Sequence, residues 1–480
     1  MGDVKTLVQR GGAVVTVVVV LALLIAGSVS ASEAAAETGT LSAVAWGQNV
    51  HGELGAGYKG TESNVPVSVL LSGFTSVVPG YYSTYAPMND GTVRAWGGND
   101  FGELGNGTRL ESDKPLPVKG LGGVVQFAAG GAHSLALLAT GGIATWGGNT
   151  FGTIGNGTSG EGREAGVALP VFPALSRVVS VAAGGSMDAA ILSDGTVVSW
   201  GENKQGQLGD GTTVEKNVPT RVRGLAGVKA VAVGGVGSLG GHMLALLHDG
   251  TVMAWGGNEE GQLGDGTIED SSVPVHVKGL AGAVAISAGP SHSLALLADG
   301  TLMAWGSNTF GQLGILGTAS STSPRPVMRG VTDISAGLRY SLAVKAGKAF
   351  AWGWNHFGVL GDGTNVDKTT PVPVLNEAVS VKAGDYHSAA VIHGAGPAPV
   401  LTRTPGEGSL TVNWRARDEP QWLILWRKAT QPRGEWEASQ KLPPAARSYT
   451  VTGLTAGQSY EVGVEAVDFG EKIVTATPLP

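Results

Sequence analysis

Residues Ala95–Thr108 read AWGGNDFGELGNGT, and the same words return along the chain. A Trp-Gly pair stands at Trp46, Trp96, Trp146, Trp200, Trp255, Trp305 and Trp352, with spacings of 50, 50, 54, 55, 50 and 47 residues. Three positions after each Trp comes an asparagine: Asn49, Asn99, Asn149, Asn203, Asn258, Asn308 and Asn355. Six positions after it comes a glycine, and Leu-Gly follows at eight and nine in six copies, with Ile154-Gly155 in the other. A recurrence fixed in spacing, order and number marks a repeat architecture.

The text before each Trp is equally regular. Ser287–Gly306, SAGPSHSLALLADGTLMAWG, reads as an apolar strand, a turn and a second apolar strand. Asp-Gly at Asp90, Asp194, Asp249 and Asp299 predicts a two-residue hairpin turn whose central residues need positive φ. A Pro-Val stretch such as SVPVHV, Ser272–Val277, and an alternating run such as AVAISA, Ala283–Ala288, complete four short strands per repeat, with no helical period. Such a unit is a propeller blade, and seven tryptophans predict seven blades. Only LSAVAW, Leu41–Trp46, precedes the first Trp, while the last copy, AVSVKAGDYHSAAVI, stops at Ile392 one strand short. The two fragments together fill one period, so the N-terminal strand is expected to close the ring over 41–393 and to leave no exposed edge.

Glycine, 78 of 480 residues, is roughly twice its usual share and has no Gly-X-Y period, which calls for many tight turns. A net charge of −7 offers no basic field for a phosphate backbone, so nucleic acid is not an expected partner. The first residues are a different text: Lys5 and Arg10, an apolar stretch from Ala13 to Gly27, then small residues with Val29 and Ala31 suited to cleavage after Ala31. Residues 1–31 therefore read as a secretory signal peptide, with an uncleaved, outward-facing membrane anchor as the alternative. The absence of cysteine excludes disulfides and thiolate metal sites, and no Walker loop, EF-hand ladder or zinc-spaced His pair is present. No cofactor or metal is expected.

The pattern WGxNxxGQLGxGT followed by PxxV, GxxHSLAL and DGTxxAWG resembles the regulator of chromosome condensation repeat, a family of seven-bladed propellers. No Trp-Asp dipeptide points to the other common propeller of this size. The resemblance implies one of two behaviours. The best-known eukaryotic member exchanges guanine nucleotide on a small GTPase, which suits an exported chain poorly. A secreted bacterial relative inhibits β-lactamases through its propeller face, which suits it better. The expectation is a secreted, non-enzymatic binding or scaffold protein with an extracellular protein partner; the alternative is an accessory module binding extracellular carbohydrate or cell wall.

After the Gly/Pro-rich stretch 394–399 the repeat stops. Residues 400–480, with GSLTVNWRA, WLILWRKA and RSYTVTGLTAGQSYEVGVEAVD, alternate at sandwich-like spacing and resemble a fibronectin type III module. The resemblance places Trp414, Leu454 and Tyr460 at that family's core Trp, Leu and Tyr. The full expectation is a seven-bladed β-propeller followed by a small β-sandwich, all-β throughout.

Within the repeat, the tryptophans read as half-buried blade cores and the asparagines as turn formers that bond their own backbone. His133, His242, His292 and His387, with Tyr82, Met187 and Tyr340 elsewhere, read as structural groups that bond a neighbouring blade's backbone. His-Ser neighbours cannot form a catalytic pair, because adjacent strand residues point to opposite faces. Phe101, Phe151, Phe310 and Phe357 share a position where other copies carry His51, Gln205 and Glu260, and a core would not accept those polar residues. These phenylalanines, with Trp354, are the expected partner-binding patch. Tyr81, Tyr82 and Tyr85 stand where other copies have small residues and suit protein or sugar contact. Two segments that break the repeat, SGEGREAGVALP after Gly157 and GVGSLGGH before Met243, are further expected specificity loops.

Overall fold

The computed structural model describes residues 41–60, 62–160, 165–170, 175, 177–236 and 241–394, with strand residues between 402 and 466. The predicted signal peptide, the linker beyond Gly394, Trp414, Leu454 and residues 161–164 and 237–240 of the two predicted specificity loops lie outside the described residues.

Every regular element among the described residues is a strand, and the repeats form seven four-stranded antiparallel sheets. Blades 1 to 6 are built from consecutive strands, starting at Val78–Pro79, Val124–Ala129, Val178–Gly184, Val228–Gly235, Ala283–Ala288 and Val331–Ala336. Blade 7 joins both ends of the ring in the order Ser63–Ser68, Leu41–Gly47, His387–His393, Ala378–Ala383. Leu41–Gly47 pairs with His387–His393 from Leu41 opposite His393 to Gly47 opposite His387, so the predicted closure is observed. Beyond the propeller, 402–406, 409–413 and 448–452 form one three-stranded sheet, and 437–438, 422–428 and 460–466 form another.

The repeated Trp is more deeply placed than its half-buried reading. All seven indoles have no exposed surface. Each Nε1–H donates to the carbonyl seven residues beyond the preceding Trp: Trp96 to Glu53 at 2.8 Å, Trp146 to Glu103 at 2.8 Å, Trp255 to Gln207 at 2.9 Å, and Trp46 to Val359 at 2.7 Å across the closure. The indole therefore ties its blade to the one before it as well as filling a core. The Leu-Gly that follows fits the same joint. At Gly55, φ is +64° and a Cβ would lie 2.6 Å from the Trp96 nitrogen, so only glycine lets the indole approach.

The Asp-Gly turns differ from the two-residue expectation. Gly91 lies at φ 78° but Asp90 is not at positive φ; Gly91 N–H bonds to Met88 O at 3.0 Å and Met88 N–H to Thr92 O at 2.9 Å. This is a three-residue loop, a type I turn closed by a left-handed glycine. The Asp side chain stays outside the turn bonds and accepts the Thr92 N–H at 2.9 Å. The predicted two-residue turn occurs instead in blade 6, where Ala346 (φ 49°) and Gly347 (φ 71°) join Lys345 to Lys348.

Candidate functional site

The repeat motif spends most of its polar atoms on architecture. Asn99 Oδ1 accepts the Leu104 N–H at 3.0 Å and its Nδ2 donates to Thr108 O and Leu110 O, both at 3.0 Å, so one buried side chain ties off a whole loop. Asn49, Asn149, Asn203, Asn258, Asn308 and Asn355 each accept the N–H five residues on in the same way. The histidines tie blades through neighbouring side chains: His387 Nε2 meets Thr84 Oγ1 at 2.6 Å, His242 meets Ser293 Oγ at 2.6 Å, His292 meets Ser341 Oγ at 3.0 Å and His133 meets Asp188 Oδ1 at 3.0 Å, while Tyr340 at the same position makes the expected backbone bond, its hydroxyl donating to His387 O at 2.9 Å. His133 follows the pattern of its siblings, with a buried carboxylate in place of their hydroxyl partners.

Strand register places Ser83, not Tyr82, at the histidine position, since Ser83 pairs with Gly97 as His133 pairs with Gly147. Tyr82 then aligns with Ala132, Ser186, Gly241, Ser291, Arg339 and Tyr386, one residue before the histidine position of each blade. Two tyrosines at this position meet where the ring closes. Tyr82 and Tyr386 stack with centroids 5.6 Å apart at 16°, Tyr81 packs edge-on against both, and Tyr386 contacts Trp354 at 6.1 Å and Phe357 at 5.7 Å. His51 extends the cluster from Tyr82 at 5.1 Å, and His356 from Trp354 at 5.8 Å. The result is a continuous aromatic surface across blades 6, 7 and 1.

The expected patch is thus partly assembled and partly redistributed. Tyr81, Tyr82, Trp354 and Phe357 belong to the seam, with Trp354 as its floor at 9% exposure. Tyr85 does not: it is 1% exposed, its hydroxyl bonded to Ser83 Oγ and Glu103 O, because Tyr82 and Tyr85 are separated by an odd number of strand positions and face opposite sides. Phe310 is half-buried under the Arg339 guanidinium, 5.0 Å from its ring centroid. Phe101, 42% exposed, and Phe151 line a cavity of about 230 Å³ beside the seam, together with His51, Tyr81, Tyr82, Asp100, Glu103 and Thr150. Sequence reading missed Tyr386, which becomes visible only once the register is set, and Glu103, whose signal is Glu in place of the Gln seen at Gln207, Gln262 and Gln312.

Glu103 is the unusual group. It is 6% exposed, its Oε2 accepts the Phe101 N–H at 2.8 Å, and burial, with the nearby Asp100 charge, pushes its carboxyl up to about 7. Glu53 repeats the arrangement one blade earlier, accepting the His51 N–H at 2.9 Å, and burial raises it as well. A second, polar cavity of about 90 Å³ is lined by the first-strand ends of all seven blades, with Gly80, Gly130, Gly235 and Gly384 among its walls.

Repeat models described as "Regulator of chromosome condensation (RCC1) repeat" match residues 90–137, 194–239, 249–296, 299–344 and 346–391, and a second model of the same description matches 124–153 and 283–312. Together they cover just over half of the residues, and the chain belongs to the RCC1-repeat family of seven-bladed propellers. Among solved structures, human WBSCR16 is 25% identical with a TM-score of 0.67, over 74% of this chain and 99% of that one. Prp20p of Saccharomyces cerevisiae, described with its binding to Gsp1p and histones, is 25% identical with a TM-score of 0.66, over 75% and 92%. Among curated relatives, the human E3 ubiquitin-protein ligase HERC2 is 39% identical over 105 residues, 22% of this chain and 2% of that protein. The ultraviolet-B receptor UVR8 of Arabidopsis thaliana is 36% identical over 108 residues, 22% of this chain and 23% of that protein. The match thus spans a quarter or less of these curated relatives.

Proposed function

We propose that the protein is a secreted, non-enzymatic binding protein that holds a protein partner on the aromatic seam of its propeller. The observation that carries this reading is the meeting of Tyr81, Tyr82, Tyr386, Trp354 and Phe357 at the one place where the ring closes. Repetition explains the buried Trp and Asn, but it does not explain why bulky aromatics replace Ala132, Ser186 and Ser291 at two adjacent blades only. Large amphipathic rings held by their neighbours supply contact area at small entropic cost, the usual makeup of a binding hot spot. The binding of Gsp1p and histones named for Prp20p supports a protein-binding role for such a ring.

Export rests on the leader at 1–31. The C-terminal strands support a fibronectin type III-like module at 400–480, because pairing of the first, second and fifth strands in one sheet and of the remaining three in the other is the arrangement of that sandwich. A second reading, carbohydrate binding, is favoured by the parallel Tyr82 and Tyr386 rings, which also suit a sugar face.

Affinity capture from culture supernatant by the full chain, beside the Tyr82→Ala/Tyr386→Ala variant, tests the proposal. A stoichiometric protein held by the wild type and lost by a variant with unchanged melting temperature is expected. Equal capture by both proteins removes the seam from the account, and a glycan-array signal with no captured protein replaces the reading by the second.

A further inference from the structure

The cavity beside the seam lies at a blade junction that lacks the cation present at two of the other junctions. Two phenylalanines of the shared position carry a positive group from the next blade. Phe151 lies under Lys204 Nζ at 5.4 Å, and Phe310 under the Arg339 guanidinium at 5.0 Å. Lys204 is the fourth residue after its blade's Trp, and Arg339 the residue before its blade's second strand. For Phe101 the same two positions are Thr150 and Ala132, and both line the cavity. Phe357 is covered by Tyr386 instead, 5.7 Å away, so the ring of Phe101, 42% exposed, has space where Phe151 and Phe310 have an ammonium or a guanidinium.

The floor changes in the same direction. In blades 3, 4 and 5 the buried side chain beneath the loop is Gln207, Gln262 or Gln312, whose Oε1 accepts the N–H two residues earlier while the amide nitrogen remains a donor. Glu103 keeps that acceptor bond through Oε2 and substitutes a carboxylate oxygen for the donor. Asp100 adds a second acid, and the lining contains no lysine or arginine. A cavity of this size exceeds the roughly 150 Å³ that accommodates benzene.

We propose that this cavity receives one cationic side chain of the protein partner, a lysine ammonium or arginine guanidinium, against the Phe101 ring and the Glu103 carboxylate. The proposal rests on the protein-binding reading above and names the chemistry by which that partner is recognised. A cation over an aromatic face gains from the ring quadrupole, and a largely desolvated carboxylate holds it more firmly than a surface acid can.

Short peptides acetyl-Gly-Ala-X-Ala-Gly-amide, with X as lysine, arginine, norleucine or citrulline, titrated into the full chain at low salt and pH 8, where Glu103 is ionised, test it. Saturable binding of the lysine or arginine peptide is expected, at least tenfold tighter than of its neutral counterpart. Glu103→Gln, which restores the residue of three sibling blades and so keeps the fold, is expected to weaken that binding at least tenfold. Thr150→Lys, which plants the siblings' cation in the cavity, is expected to abolish it. Equal binding of neutral peptides, or binding unchanged in Glu103→Gln, overturns the proposal. No peptide binding by a wild type that still captures its partner overturns the cation alone and leaves the protein-binding reading standing; peptide binding with no partner captured sinks that reading instead.

Discussion

Glu103 holds its proton to about pH 7 in the native state, whereas an unfolded glutamate releases it near 4.5. The native chain therefore binds more protons than the unfolded one between those values, and stability falls as pH rises through that window. At roughly 1.4 kcal/mol per pH unit the burden above pH 7 is on the order of 3 kcal/mol. Glu103→Gln is expected to raise urea-melt stability by about 1–3 kcal/mol at pH 8 and to change little at pH 4; equal gains at both values would contradict the burial argument. The histidine ties carry the opposite sign. Burial pushes His242 down to about 4 and His292 and His387 to about 3, so unfolded imidazoles take up protons that native ones refuse, and stability is lost as pH falls from 6.5 toward 4. Replacing Trp255 by Phe leaves the buried Gln207 carbonyl without its donor and is expected to cost about 1–3 kcal/mol in the same melts. Trp255→Ala also opens a cavity and is expected to cost about 3–5 kcal/mol.

At the scale of the element, the hairpins show how turn chemistry divides between neighbouring residues. Gly91 and Gly250 carry the left-handed conformation alone, and at Gly250 a Cβ would stand 3.0 Å from the Gly282 Cα. Gly250→Ala is expected to destabilise by about 1–2 kcal/mol. Ala346 sits left-handed at the first position of a two-residue turn that favours Asn-Gly, so Ala346→Asn is expected to stabilise by about 0.5–1 kcal/mol, read as a rise in thermal midpoint. Asp-Gly was legible as a turn, but its length was not, because a left-handed glycine closes both the two-residue and the three-residue loop. The same margin of one residue misplaced Tyr82. A period of two turns a slip of one position into the opposite face, and Ser83 and Tyr82 differ only in what the strands pair with.

At the scale of the whole molecule, the count of blades and the closure followed from spacing alone, since repeat length and fragment length are local properties of the text. The aromatic seam did not, because Tyr82 and Tyr386 are separated by most of the propeller and meet only after the first and last strands pair. The phenylalanine position was recognisable as non-core, yet what lies over each ring is set by the following blade. Thus Phe151 and Phe310 are covered by Lys204 and Arg339 while Phe101 is open. Closure also carries stability. Deleting residues 41–47 removes Trp46 from its bond to Val359 and bares the His387–His393 edge, so calorimetry is expected to show the single propeller transition broadened and aggregation on heating.

Amide hydrogen exchange of the full chain with and without its captured partner tests the central claim, that the seam and its cavity are the binding face. Slowed exchange is expected at Tyr81–Ser83, Asp100–Glu103 and Trp354–Phe357, with the outer strand Ser271–His276 unchanged. Protection confined to outer strands, with those three segments unaffected, would contradict it.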